Sequence, residues 1–327
     1  MNNSTEACSS YQFSPSFLVL GTLSGISSVF SIVGNSVVLW TVYKTEALQS
    51  VSNFFIASLA LADLLVGLVL NPILIVRAVV YGYQMYTNII PHGFDVAEDY
   101  LWIQCLLIST FSFTTISIDR FIAITRAMYY ETVMTTRRCQ IIIVFLWTSS
   151  LSIALLRVFL RGKDLPWLWL ATIILACLFP LCITCYCYTA IFRTARLQIR
   201  NIASLSNTQE QEQHSKAVKN TKAAFTIAIV IGVFAISYAP SVVVACVSLT
   251  IKGKCAHLYN ETTEWPWACL VAYCSSAINP WIYSIRSQEF RQAIKRAFLR
   301  PVADDRKRTS LKMPKRPVNE NSTQKMS

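Results

Sequence analysis

The chain has 327 residues, 54% of them hydrophobic and only 14% charged, a balance that excludes an ordinary soluble domain. Its formal net charge of +12 would suggest nucleic acid as a partner in a soluble chain. Here the basic residues follow loop position instead, and no nucleic-acid partner is expected.

Residues 1–15 are read as an extracellular tail. Met1 to Gln12 is polar and lacks the basic start of a cleaved signal peptide, so the first span is expected to act as its own insertion signal. Four uncharged runs follow along the chain: Ser16 to Tyr43, Leu165 to Phe192, Ala223 to Ile251 and Trp265 to Ile285. Each reaches the roughly 20 residues needed to cross a ~30 Å hydrocarbon layer as a helix. Ala47 to Val76 carries only Asp63, while Tyr100 to Ile118 and Cys139 to Leu156 are shorter but uninterrupted. The spans read 16–43, 51–77, 95–127, 139–160, 165–193, 219–251 and 265–286. The runs are too long for barrel strands, so the fold class is an all-α membrane protein, a seven-transmembrane helix bundle over 16–287. The inner connection from Thr194 to Val218 is polar and is expected to be a mobile loop. In residues 288–300, Phe290, Ile294, Phe298 and Leu299 recur at helical spacing between basic residues, which predicts an amphipathic eighth helix on the inner membrane face. Residues 301–327 read as a disordered cytoplasmic tail, with a basic cluster from Arg306 to Arg316 that attracts anionic membrane lipid.

Seven spans place the termini on opposite sides. With the N-terminus outside, Arg77, Arg157, Arg161, Lys163, Lys252 and Lys254 are the outer basic residues; taking these six from 29 leaves 23 inside. That asymmetry sets a multi-pass topology with the C-terminus cytoplasmic. The sequons at Asn2, Asn3 and Asn260 then fall outside, as glycosylation requires, and the one at Asn321 falls inside. Eleven cysteines form no disulfide scaffold or zinc set. Cys8 and Cys255 are a candidate pair, with Cys269 as a competing partner.

Ionisable and polar residues within the spans point to function, because they are costly there. Asp63, with Asn35, Ser109, Ser275, Ser276 and Asn279 at comparable depth, suggests a hydrated pocket for a monovalent cation, although a purely structural acid satisfied by hydrogen bonds accounts for Asp63 about as well. Asp119-Arg120 closes the third span. Pro72, Pro180, Pro240 and Pro280 each interrupt a span and supply compliant points. A carrier or channel is disfavoured by the single intramembrane acid and the absence of internal repeats. An intramembrane enzyme is disfavoured because His92, His214 and His257 all fall in loops.

Gly34-Asn35, Leu59 to Asp63, Asp119-Arg120, Trp147, Pro180 with Tyr188, Pro240 after Tyr238, and Asn279-Pro280-Trp281-Ile282-Tyr283 occur in order, one or two per span. In this the chain resembles the rhodopsin-like G-protein-coupled receptors from Gly34 to Phe298. The resemblance implies an outer ligand cavity, an inner cleft for a heterotrimeric G protein, arrestin as a further partner, and residence in the plasma membrane. It implies a sodium pocket at Asn35, Asp63, Ser109, Ser275 and Asn279. It implies a switch at Asp119, Arg120, Tyr188, Asn279, Pro280 and Tyr283, and a ligand cavity at Asp95, Glu98, Asp99, Trp102, Tyr238 and Tyr273. No cofactor is expected beyond structural sodium, or calcium held with the ligand.

The chain departs from that pattern in several places. Asp95 stands where the family has a bonded cysteine, and the outer connection near Arg161 to Pro166 is short and lacks cysteine, so that disulfide cannot form. Tyr238 replaces a tryptophan, and Asn220 replaces the acid that pairs with the arginine. Trp102 replaces the aspartate of amine receptors, and Tyr273 the lysine of opsins. The segments Ala195 to Ala203, Ile231 to Phe234 and Arg286 to Glu289 look most like melanocortin receptors, which favours a peptide ligand. The wider group, which also holds adenosine, cannabinoid and lysophospholipid receptors, leaves a lipid or nucleoside as the alternative. Those peptide receptors hold calcium at positions matching Asp95 and Asp99; here the third acid is replaced by Ile73, so a solvated acidic rim is the favoured reading. Trp167 and Trp169 are expected to be interface anchors.

Overall fold

The structure, a computed structural model, describes residues 15–82, 92–160, 162–201, 208–251, 253, 259–286 and 288–299. Among these residues the chain is helical throughout, with no strand. α1 is Pro15–Lys44. α2 is a rod of two pieces, Val51–Leu65 and Asn71–Gly82, joined by a π turn at Val66–Leu70. α3 is His92–Thr125 and α4 is Thr136–Phe159. α5 joins Leu165–Ile173 to Phe179–Asn201 through a π turn at Ile174–Leu178. α6 is Thr208–Ser248, α7 is Trp265–Arg286 led in by a π turn at Asn260–Glu264, and α8 is Gln288–Leu299. α1 to α6 are each long and apolar enough to cross a membrane, and α7 completes the bundle.

Burial sorts the helices by place. Of α1 to α6, α3 is the most deeply buried and α4 the least. α3 is therefore the axis, packed on α2, α4, α5 and α6, while α4 shows most of its surface to lipid. Mid-bundle, α3 and α6 meet through Phe113 on Phe234, with ring centres 4.8 Å apart, and Phe234 lies on Tyr238 at 4.3 Å. Helix starts follow ordinary capping: Ser50 accepts from the Asn53 N–H and Thr135 from the Arg138 N–H. The return from α4 to α5 is made at Gly162, whose φ of 59° is the left-handed conformation that glycine tolerates best.

Prolines explain the π turns. Val66–Leu70, Ile174–Leu178 and Asn260–Glu264 each end two residues before a proline: Pro72, Pro180 and Pro266. In α2 the Asn71 N–H bonds the Val66 carbonyl, five residues back. The next donor in that register would be Pro72, which has none. Gly67 O, left without its partner, accepts a hydrogen bond from Ser28 Oγ on α1 at 2.7 Å. The sequence placed the compliant points at Pro72 and Pro180 but not the wide turns ahead of them.

Three expectations are corrected. The inner connection is not loop throughout: α5 continues to Asn201 and α6 begins at Thr208, which puts His214 within a helix. His92 likewise begins α3. Phe290, expected on the lipid face, is 3% exposed and packs against Tyr283. Asn2, Asn3, Cys8, Cys255 and the tail from 301 lie outside the described residues.

Candidate functional site

At the inner end, α3 places Asp119 and Arg120 where α2 and the short helix Tyr130–Val133 converge. Arg120 donates to Asp119 Oδ2 through Nη2 at 2.6 Å and Nε at 3.0 Å. Ser52 Oγ donates to the same oxygen at 2.6 Å, and the Tyr130 hydroxyl donates to Oδ1 at 2.8 Å. Asp119 is fully buried, and a buried carboxylate is tolerated because its oxygens are served by a cation and two hydroxyls. Burial and the neighbouring Asp119 charge push the Tyr130 hydroxyl up to about 12, so it remains a donor. Tyr188 is close by on α5, its hydroxyl buried without a hydrogen-bond partner of ordinary geometry among the described residues. Sequence reasoning singled out Asp119, Arg120 and Tyr188 at this end of the bundle and missed Ser52 and Tyr130, which carry no signal until the chain is folded.

In mid-bundle, four of the predicted residues form one device. Pro280 has no N–H to give to the carbonyl four residues back, Ser276. Asn35 Nδ2 donates to that carbonyl at 3.1 Å, and Gly34 makes room for the ring: a Cβ there would meet Pro280 Cγ at 2.9 Å. Asn279 Nδ2 then reaches Asp63 Oδ2 at 2.8 Å. Ser31 Oγ donates to the Asp63 carbonyl at 2.8 Å. Ser275 turns back to its own helix, bonding Ala272 O at 2.7 Å. Ser109 is buried on α3 and stands apart from the bonds joining Asp63 to α7. The carboxamide oxygens of Asn35 and Asn279 are buried without a donor among the described residues, so with the Asp63 carboxylate they offer oxygen acceptors that fit a monovalent cation.

The outer end differs from its sequence reading. Asp95 and Glu98 both bond Arg77 of α2, with Asp95 at 2.6 Å. Asp99 bonds Arg157 of α4 at 2.8 Å. The acidic rim is thus held by arginines, with Asp95 and Asp99 still partly solvated and Glu98 buried, and among the described residues no three His, Cys, Asp or Glu side chains group as a metal site. Trp102 packs edge-on against Trp169 at 5.5 Å and tilted against Trp265 at 5.2 Å, and Trp169 meets Trp265 edge-on at 6.0 Å. Trp169 is therefore a packing residue, while Trp167 is 70% exposed. Trp102, Tyr238 and Tyr273 are 5%, 4% and 2% exposed, so in this conformation the expected cavity residues are packed core. Asn260 is 3% exposed in the turn before α7, which leaves no room for the glycan its sequon suggested. Cys269, the competing disulfide partner, is buried and free.

Comparison with known proteins agrees with this geometry. A family model described as "7 transmembrane receptor (rhodopsin family)" matches residues 34–283. Melanocortin receptor 4 of Danio rerio is 31% identical over 85% of this chain and 81% of its own length. Adenosine receptor A2a of Homo sapiens is 29% identical over 82% and 69%. Trace amine-associated receptor 7e of Rattus norvegicus is 29% identical over 90% and 86%. The crystal structure of squid rhodopsin superimposes with a TM-score of 0.76 at 23% identity, covering 88% of this chain and 87% of that one. The chain, a multi-pass membrane protein and not an enzyme, belongs to the rhodopsin family of seven-transmembrane receptors.

Proposed function

We propose that the chain is a plasma-membrane receptor, N-terminus outside, that passes the binding of an extracellular ligand to a heterotrimeric G protein. The observation that carries the reading is the Asp119 cluster. Arg120 is a buried cation held by an adjacent carboxylate that Ser52 and Tyr130 also grip. Such a group has two places to be: on Asp119, or turned into an inner cleft opened by movement of α6. Ligand binding then shifts a standing equilibrium between them. Asp63, Asn35 and Asn279 hold a sodium ion in the closed form. Asn2 and Asn3 carry glycans outside, α8 lies on the inner leaflet, and arrestin uses the same open cleft.

A peptide is the favoured ligand. The outer connection of α4 to α5 is short, and one of the relatives is a melanocortin receptor. Calcium at Asp95 and Asp99 would have to displace Arg77 and Arg157, so the rim is read as an ion-pair cluster. A lipid or nucleoside is the second reading, favoured by the tryptophan cluster at Trp102, Trp169 and Trp265. The decisive experiment is Arg120→Ala in nanodiscs with purified G proteins. Loss of catalysed nucleotide exchange with normal surface expression is expected; retained exchange would discard the switch.

A further inference from the structure

Ser24, Ser27, Ser28, Ser31 and Asn35 recur on α1 three, four and seven residues apart and are all buried, so they form one polar face. α2 and α7 oppose it. Ser28 bonds Gly67 O, Ser31 bonds Asp63 O, Asn35 bonds Ser276 O, and Asn71 Nδ2 reaches Ser27 Oγ at 3.5 Å. These bonds use up donors and leave acceptors. Asn71 Oδ1, Asn35 Oδ1, Asn279 Oδ1 and Ser24 Oγ are buried with no partner among the described residues. Each of the four residues is 0% exposed. Three of the four atoms are carboxamide oxygens, which only accept.

The acceptors are spread too widely for one ion. Asp63 to Asn71 covers eight residues, about 12 Å at ~1.5 Å per residue, and Ser24 lies further towards the outer end of α1. A seam of that length, lined by acceptors, suits a file of ordered waters. The bundle axis offers no comparable route, because Trp102, Tyr273 and Tyr238 pack there as core.

We infer that the α1–α2–α7 seam holds a water file through which a monovalent cation reaches Asp63, entering beside Ser24 and Asn71 rather than down the bundle axis. This rests on the reading of Asp63 as a sodium site. Asn71 and Ser24 are the residues that keep the seam wet. Replacing either with an apolar side chain slows cation entry while the destination remains intact.

The test is a sodium jump on the full chain in nanodiscs, with choline replaced by sodium at constant ionic strength and tryptophan fluorescence followed by stopped flow. The wild type should relax with a defined amplitude, and Asp63→Asn should lose it. Asn71→Leu should keep the amplitude and relax at least tenfold more slowly. Ser24→Ala, which removes one hydroxyl and leaves packing intact, should slow it several-fold and decides the matter if Asn71→Leu fails to fold. Unchanged rates in the seam variants, or acceleration by Trp102→Ala while they are silent, would overturn the route and leave the sodium site standing. No amplitude in the wild type, or an amplitude that survives Asp63→Asn, would remove the sodium site and the route together.

Discussion

Asp119 is served from three separate places: its own neighbour Arg120, Ser52 at the start of α2, and Tyr130 between α3 and α4. On the proposed switch, each bond belongs to the closed arrangement and so biases the equilibrium against the open one. A hydrogen bond to a charged group contributes about 1.5–3 kcal/mol, and every ~1.4 kcal/mol is tenfold in an equilibrium. Tyr130→Phe keeps the ring and removes the donor. It should raise ligand-independent nucleotide exchange roughly tenfold, read as GDP release with purified G protein; an unchanged basal rate would mean the bond exists in both states. The raised titration of Tyr130 sets the sign of its pH dependence. The proton is held more tightly in the fold, so its contribution is complete below the ordinary tyrosine value near 10 and is lost as pH climbs towards about 12. Gly34 is a second single-residue determinant. A Cβ at Gly34 would lie 2.9 and 3.0 Å from two atoms of the Pro280 ring, and that ring is rigid. Gly34→Ala should therefore cost about 1–3 kcal/mol, as overpacking does, and lower the thermal midpoint with little change in composition.

Helices are where sequence and structure diverge for identifiable reasons. Their number, order and apolar cores were legible because roughly 20 uncharged residues have few alternatives in a membrane. The Gly34-Asn35 and Asn279-Pro280 motifs were legible as signs, but not their joint action, which needs α1 laid against α7. The π turns were not legible: a proline announces a missing donor, not whether the helix kinks or widens to absorb it. The inner extensions of α5 and α6 were missed because polarity distinguishes exposure, not helix from loop. Arg77 and Arg157 were read as boundary charges, since nothing in the order of residues pairs them with α3. Yet they tie the outer end of α3 to α2 and α4, where the chain lacks the cysteine its relatives are expected to bond. Arg157→Met should expose this tie. Its partner Asp99 keeps 26% of its side chain in contact with solvent, so the cost should be about 2 kcal/mol, below the ~3–5 kcal/mol of a fully buried pair. The double variant with Asp99→Leu should recover most of it, because no charge is then left alone. A double variant no more stable than the single would argue that Arg157 acts through packing instead.

On the scale of the bundle, the helices differ in how firmly they are held. α1, α2 and α7 share the polar seam and the Gly34–Pro280 contact, while α6 packs mainly on α7 and only lightly on α5. Movement of α6 away from α5 therefore breaks few contacts. α6 also carries Pro240 in its interior, two residues outward of Tyr238 in the mid-bundle aromatic cluster. Removing the N–H at this point weakens the ladder between the outer end of α6 and the rest of the helix, which makes it the natural pivot. Pro240→Ala restores the donor and should stiffen the rod. In a soluble helix the exchange of proline for alanine is worth up to about 3 kcal/mol; in a bundle already shaped around the kink the gain should be smaller. The expected outcome is a thermal midpoint raised by a few degrees together with a several-fold fall in ligand-independent nucleotide exchange. The two readings together separate a pivot from a structural kink. If stability rises while exchange is unchanged, α6 moves as a rigid rod from its outer end, and the compliance that matters lies in its packing against α7.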